Sequence, residues 1–230
     1  IEYTGTLTDN SHLQVQRLSE FVINVKDFGA LGNGVADDTA AIQAAITYLN
    51  SRPTPNPGGI VYIPCGTYMI SSTINVNSGG TTIQGGGNLV TASGAGTIIK
   101  KSVDGISHAI NLGANNTSLR DLMVDCNNKT GDGIRSDLVN GVVLMNVSVR
   151  SAKSVGAYGI KYGQSSENFF YNVLVTDCYN GFYLGSAMGA QFCSFDGLHI
   201  VHDDATLAGV GLELYGVTTA SFSTVSVSTG

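Results

Sequence analysis

From Leu119 to Ser228 one arrangement of apolar positions returns five times: apolar, two residues, apolar, one residue, apolar. The copies are Leu119, Leu122 and Val124; Leu144, Val147 and Val149; Phe170, Val173 and Val175; Phe195, Leu198 and Ile200; Phe222, Val225 and Val227. They recur about every 26 residues, a period that marks a repeat architecture. No helix-forming run separates them. A second short strand led by glycine stands there instead: Gly133-Ile134-Arg135, Gly159-Ile160-Lys161, Gly181-Phe182-Tyr183 and Gly211-Leu212-Glu213. Short alternating strands broken by Gly, Asn, Asp and Ser predict an all-β solenoid, the parallel β-helix, in which each coil stacks on the last. Equivalent residues then form columns with a step of about 4.8 Å.

Read as columns, Leu119, Leu144, Phe170, Phe195 and Phe222 make an interior stack. Asp121, Asn146, Asn172, Gly197 and Thr224 make a bend, where side-chain amides and carboxylates are expected to satisfy the turning backbone. Met123, Ser148, Leu174, His199 and Ser226 are expected to face outward or towards a neighbouring subunit. Residues 1–20 are polar and without period, and read as a linker or the end of a preceding module; the β-helix domain takes 21–230. Near its start, Ile42, Ala45, Ile46 and Leu49 share one face of a helix predicted over 38–50, with Asp38 at the N-cap. The period is irregular between Leu89 and Asn111, where a loop is expected to leave the cylinder. A first residue that is Ile, and a last repeat running to Gly230 without a capping element, suggest a piece of a longer chain.

Composition sharpens this picture. Charged residues make up 12% of the chain, against roughly 25% in ordinary domains, and 30 glycines suit tight turns. A net charge of −6 with no Lys/Arg cluster argues against a nucleic-acid partner. No apolar run reaches the roughly 18 residues of a membrane span, so no membrane insertion is expected. Cys65, Cys126, Cys178 and Cys193 lack CxxC spacing, which makes them small buried thiols rather than metal ligands or a disulfide framework. The glycine loop Phe28 to Gly34 lacks both the phosphate-binding lysine and GxGxxG, and two acids follow it. No cofactor or metal is expected.

The run VKDFGALGNGVADDTAAIQAAI, with GGIVYIPCGTYMISSTINV and TTIQGGG after it, resembles the N-terminal module of the pectate-lyase-like superfamily, which many phage tailspikes and capsule depolymerases share. The resemblance implies a right-handed, single-stranded parallel β-helix whose short N-terminal α-helix caps the open end of the cylinder, with Asp37, Asp38 and Gln43 as structural residues. It also implies a polysaccharide partner. The polygalacturonase-type strings NTD, GHG and RIK do not occur between Ile60 and Gly230, so the pectin-acting chemistry does not carry over with the fold.

Candidate site residues come from two columns. Arg135, Lys161 and Tyr183, with Glu213 after them, place two cations, an aromatic ring and a carboxylate on a line roughly 15 Å long, suited to substrate binding. The turn column Cys126, Ser151, Asp177, His202 leads directly into Asp203 and Asp204. Glycoside hydrolysis takes two carboxyls about 5–5.5 Å apart for retention or roughly 6.5–9.5 Å apart for inversion. Asp177, Asp203, Asp204 and Glu213 are therefore the candidate catalytic acids, and His202 a further substrate contact. A second acid group, Asp121, Asp125, Asp132 and Asp137, has Arg120, Arg135 and Arg150 as partners. The expected function is that of a tailspike-type protein, a homotrimer in the virion tail, which binds and depolymerises a bacterial surface polysaccharide by glycosidic cleavage, as a hydrolase or lyase. The alternatives are a non-catalytic receptor-binding adhesin and a secreted pectinolytic-type hydrolase or lyase.

Overall fold

Every pairing among the described strands is parallel, and the coils follow from that single rule. The computed structural model describes residues 22–52, 58–88, 96–190, 192–202 and 209–229. Strands β1 (Val22–Asn24) and β2 (Asn33–Asp37) precede the α-helix α1 (Thr39–Asn50). Two coils of three strands follow: β3 (Gly59–Ile63), β4 (Gly66–Ile70) and β5 (Ile74–Val76), then β6 (Thr81–Gly85), β7 (Thr97–Lys101) and β8 (His108–Leu112). Later coils have two: β9 (Ser118–Asp125) with β10 (Asp132–Ser136), β11 (Val143–Arg150) with β12 (Tyr158–Tyr162), β13 (Phe169–Thr176) with β14 (Asn180–Ala190), and β15 (Cys193–His202) with β16 (Leu212–Val217). β17 (Ala220–Thr229) ends the series. The loop expected between Leu89 and Asn111 falls partly on 89–95, outside the described residues; the rest of the stretch holds β7 and most of β8, and its period is broken because β6 and β7 are not yet joined.

β9 is where three strands become two. Its first half continues β6, with Leu119 opposite Ile83, and its second half continues β7, with Val124 opposite Ile99. Between the halves Asp121 turns the chain at φ 55°, and Asn146, Asn172, Gly197 and Thr224 repeat the turn at 52°, 49°, 75° and 54°. Asn and Asp tolerate this left-handed region better than other side chains do. The amides serve each other rather than the backbone as expected: Asn146 Nδ2 donates to Asp121 Oδ1 at 2.8 Å, and Asn172 Nδ2 to Asn146 Oδ1 at 2.9 Å.

Inside the cylinder Leu119, Leu144 and Phe170 are fully buried. Phe170, Phe195 and Phe222 stack at 4.7 and 4.9 Å, but Phe222, expected inside, is 47% exposed on the last described strand. Tyr162 and Phe182 come edge-on to Phe170 from the six-stranded sheet opposite, at 5.1 and 5.0 Å. Such aromatic pairs add roughly 0.5–1.5 kcal/mol each beyond the area they bury. Cys126, Cys178 and Cys193 are buried as expected, whereas Cys65 is exposed. Met123, expected to face outward, is only 3% exposed, so it offers nothing to a neighbouring chain; Leu174 in the same column is 36% exposed.

The N-terminal end of the cylinder needs two kinds of closure. Ile42, Ala45, Ile46 and Leu49 of α1 are buried to 1% exposure or less and supply the apolar closure. Gln43 supplies the polar one: its Nε2 donates to Asn75 O and its Oε1 accepts from Asn75 N, at 3.1 and 2.9 Å. An amide side chain thereby replaces the strand that β5 lacks on its outer edge. Asp38 stands at the N-cap position without capping the helix; its carboxylate accepts instead from Leu31 N and Gly32 N, pinning the glycine loop. Asp37 takes over the helix start by accepting from Thr39 N. The stretch read as a linker, 1–20, lies outside the described residues.

Ile46→Ala should destabilise the fold by about 2–5 kcal/mol, the usual cost of emptying a buried aliphatic site. Chemical denaturation checks this, and an unchanged midpoint would mean that α1 does not close the core.

Candidate functional site

The strands β5, β8, β10, β12, β14 and β16 form one sheet, and their register aligns Asn75, Asn111, Arg135, Lys161, Tyr183 and Glu213 as successive rungs. The predicted line is therefore a physical ladder of outward side chains. A second column runs beside it: His108 is opposite Asp132, and Tyr158 is opposite Asn180; His108 and Tyr158 are partly exposed, whereas Asp132 and Asn180 are covered. Strict alternation hides that column. Tyr158 and Lys161 are three apart, yet both are partly exposed, while Gly159 and Ile160 between them are buried. The same pattern holds in β8, where Ala109 and Ile110 are both buried. The small residue Ala109, Gly133, Gly159 or Gly181 marks the irregularity in each coil, and it was the signal by which Tyr158 could have been found.

Side chains on this face are closely coupled. Arg135 Nε donates to Asp137 Oδ2 at 2.6 Å, and its Nη1 lies 3.9 Å from Asp132 Oδ2. A side chain at Gly163 would collide with that arrangement, since a Cβ there would sit 1.9 Å from Asp137 Oδ1. Lys161 Nζ lies 4.8 Å from the Tyr158 ring and 5.8 Å from that of Tyr183, with no carboxylate within ion-pair distance among the described residues. Tyr158 packs edge-on against Tyr183 at 5.6 Å, and its hydroxyl donates to Glu213 Oε2 at 2.8 Å, two coils further on. Burial first, and then the bond to Glu213, push the Tyr158 phenol up to about 12. At neutral pH it is a proton donor, not a base. Burial, reinforced by the Arg135 guanidinium, holds His108 below the usual imidazole value, so its ring is neutral there too.

Of the expected acid group, Asp177 and Glu213 are among the described residues. Glu213 lies on the ladder, whereas Asp177 occupies the bend after β13 at φ 50°, its N–H donating to Val201 O. No hydrogen bond or ion pair joins Asp177 to Glu213 among the described residues. Asp203 and Asp204 fall outside those residues. His202, expected beside the substrate, turns inward instead: both ring nitrogens are buried without a partner among the described residues, and Nε2 lies 3.8 Å from where a Cβ on Gly211 would be. It fills the corner that Cys126 fills against Gly133 in an earlier coil. The second acid group also separates. Asp121 enters the amide ladder, and Asp125 bridges Lys100 at 3.7 Å and Arg150 at 2.8 Å. Only Asp132 and Asp137 of that group share the face with Glu213.

Comparison with known proteins places the fold. Residues 22–110 match the family model described as rhamnogalacturonase A/epimerase, pectate lyase-like. The chain is a parallel β-helix whose N-terminal part is similar to the pectate-lyase-like family. This β-helix is 38% identical over 128 residues to mannuronan C5-epimerase AlgE2 of Azotobacter vinelandii, covering 52% of the chain and 12% of the epimerase. It is 29% identical over 150 residues to the preneck appendage protein of Bacillus phage PZA, covering 61% of the chain and 15% of that protein. Among solved structures, ORF18 of Geobacillus virus E2 superposes with a TM-score of 0.63 at 20% identity, over 98% of the chain and 54% of the viral chain. The β-helix thus spans a minor part of the first two proteins and about half of the third.

Because the Tyr158 phenol is raised, the proton it keeps in the folded state favours folding below the ordinary tyrosine value of 10, and that contribution is lost as pH climbs towards about 12. Carbon-13 NMR of labelled tyrosine should show Tyr158 protonated after exposed tyrosines have ionised, and Glu213→Gln should move its titration down. A Tyr158 signal that titrates near 10 in both proteins would mean that the phenol is not held by Glu213.

Proposed function

We propose that the protein is a tailspike-type component of a phage virion that holds a bacterial surface polysaccharide along the ladder of β10, β12, β14 and β16 and cleaves its glycosidic bonds. The observation that carries this reading is the convergence of Lys161, Tyr158 and Glu213 on one face, with Arg135 and Tyr183 extending it. The relation to a phage appendage protein supports the virion setting, and exposed Leu174 supports side-by-side packing in a homotrimer. A monomer by light scattering at micromolar concentration would refute that assembly.

Distances along the ladder favour elimination over hydrolysis there. Asp132 and Asp137 sit three rungs from Glu213, about 14 Å at the strand spacing, well beyond the roughly 6.5–9.5 Å of an inverting carboxyl pair. Elimination needs no second carboxylate. Lys161 would neutralise the carboxylate of a uronate, Glu213 would take the proton beside that carboxylate, and the C4–O bond would break as the C4–C5 double bond forms. Tyr158 would give its proton to the departing oxygen and recover it from solvent. A second reading shares the first step: proton removal and return on the opposite face is C5 epimerisation, and the 38% identity to a mannuronan C5-epimerase favours it. The adhesin reading requires binding alone.

Incubation with sodium alginate and a panel of purified bacterial capsular polysaccharides separates these readings. Elimination gives new reducing ends with unsaturated uronate absorbance, epimerisation gives solvent-deuterium uptake without cleavage, and an adhesin gives neither. Glu213→Gln and Tyr158→Phe should each lower the rate by about 10²- to 10⁴-fold, the typical worth of general acid–base assistance, while Lys161→Ala weakens polymer binding. Saturated reducing ends would instead favour hydrolysis by acids such as Asp177, Asp203 and Asp204. Full rate in Glu213→Gln would take the chemistry off the ladder.

A further inference from the structure

Asn75, the first rung of the ladder, also lines an open groove between α1 and the first coil. This cavity of about 590 Å³ is bounded by Asp37, Gln43, Ser72, Thr73 and Asn77 as well. A smaller one of about 270 Å³ shares Ser72 and Thr73 and runs on to Ser107. No aromatic ring and no Lys or Arg lines either cavity. Apart from Ala40 in the larger cavity and Gly105 and Ile106 in the smaller, the lining is hydroxyls, amides and, at one position in each cavity, the carboxylate of Asp37 or Asp104. Some of its groups are already committed: the Gln43 amide holds the Asn75 backbone, and Asp37 accepts from Thr39 and Ser71. Others are not. The Ser72 hydroxyl and the Asn77 amide make no hydrogen bond among the described residues, and both side chains belong to exposed residues.

We propose that this groove is a second glycan subsite, one that takes neutral, hydroxyl-bearing sugar residues. The proposal deepens the reading of the ladder as a polysaccharide track and rests on it. A sugar hydroxyl both donates and accepts, and an amide beside a hydroxyl offers both roles at short range. Asp104 is paired with Lys129 at 3.6 Å, but a uronate in the larger cavity would meet the Asp37 carboxylate, which has no ion-pair partner among the described residues. The groove therefore selects against the charge that Lys161 would attract. Continuity is supplied by Asn75, whose Oδ1 accepts from Asn111 Nδ2 at 3.3 Å, so the groove opens directly onto the rungs. From Asn75 to Glu213 the track covers five steps, about 24 Å. A chain lying on it would present a charged residue to Lys161 and uncharged residues to the groove, which means a heteropolymer of mixed charge.

Titration of the nitrogen-15-labelled full chain with cellotriose, maltotriose and xylotriose, each at millimolar concentration, tests this by NMR. The side-chain amide of Asn77 and the backbone amides of Ser72 and Thr73 should shift with at least one of the three, and an alginate trisaccharide should leave them unmoved. Ser72→Tyr fills the groove at an exposed bend and should weaken that binding about tenfold, equivalent to one or two hydrogen bonds; Asn77→Ala should act in the same direction. Silence of the groove signals with all three neutral sugars, or unchanged affinity in both variants, overturns the subsite. Lys161→Ala and Tyr183→Ala report on the ladder separately through polymer binding. Groove shifts beside an indifferent ladder would overturn the continuous track and leave an isolated neutral-sugar site.

Discussion

Parallel backbone pairing of each coil with the next is the interaction on which everything else in this molecule depends. It fixes the step along the axis at about 4.8 Å, and it forces residues one period apart to stand directly above one another. Val147 lies opposite Leu122, Val173 opposite Val147, and Leu198 opposite Val173, without a slip. A slip of one residue would send each interior side chain out to solvent, so the apolar columns enforce the register that the hydrogen bonds allow. Local choices then propagate. One Asn that accepts a left-handed bend makes the same bend favourable in the next coil, because its amide bonds the amide above.

A structure built this way has a particular weakness at its ends, where strands lack a neighbour and the core lacks a lid. The N-terminal end meets both needs with one helix. Its aliphatic face covers the cylinder, and Gln43 copies the donor and acceptor of a missing peptide unit against Asn75. The acids at the helix start hold neighbouring backbone in place: Asp38 fixes Leu31 and Gly32, while Asp37 fixes Thr39. Leaving the Asn75 backbone unpaired would cost roughly 1–3 kcal/mol for each buried polar group.

Much of this was legible in the chain because a solenoid writes its geometry as a period. The repeated apolar triplet marked the coils, Phe170 and Phe195 the interior stack, and the Arg135–Glu213 line the ladder, although Phe222 in the last coil is left exposed. What was not legible came from departures from simple alternation. Tyr158 reads as inward from Lys161 by parity, yet the buried Gly159–Ile160 pair returns it to the outer face. His202 reads as outward beside Asp177, yet lack of a side chain at Gly211 opens an interior corner that the imidazole occupies. Met123 alternates outward but is covered within its own chain. In each case a neighbour with little or no side chain, or a strand from another coil, sets a side-chain direction that period-2 alternation alone does not give.

Why the ladder is a better candidate for a ligand than the corner columns follows from where polar capacity is already used. At the corner, Asp121, Asn146 and Asn172 bond to one another. On the second half of the long strands, Asp125 is saturated by Lys100, Arg150 and the Asn127 N–H. A column that closes on itself in this way stiffens the cylinder and offers a sugar little. The ladder closes only in part. Arg135 is held by two aspartates, but Lys161 has aromatic faces as its neighbours, and one such contact is worth only about 0.5–2 kcal/mol. A carboxylate ligand could therefore recruit that ammonium without displacing a stronger partner. The proton on Tyr158 is held by burial and Glu213, and the same bond turns that carboxylate towards Lys161's neighbour. Unspent cation, retained proton and oriented carboxylate lie within a few rungs on this one face, and that incomplete satisfaction is what separates a candidate site from a well-finished wall.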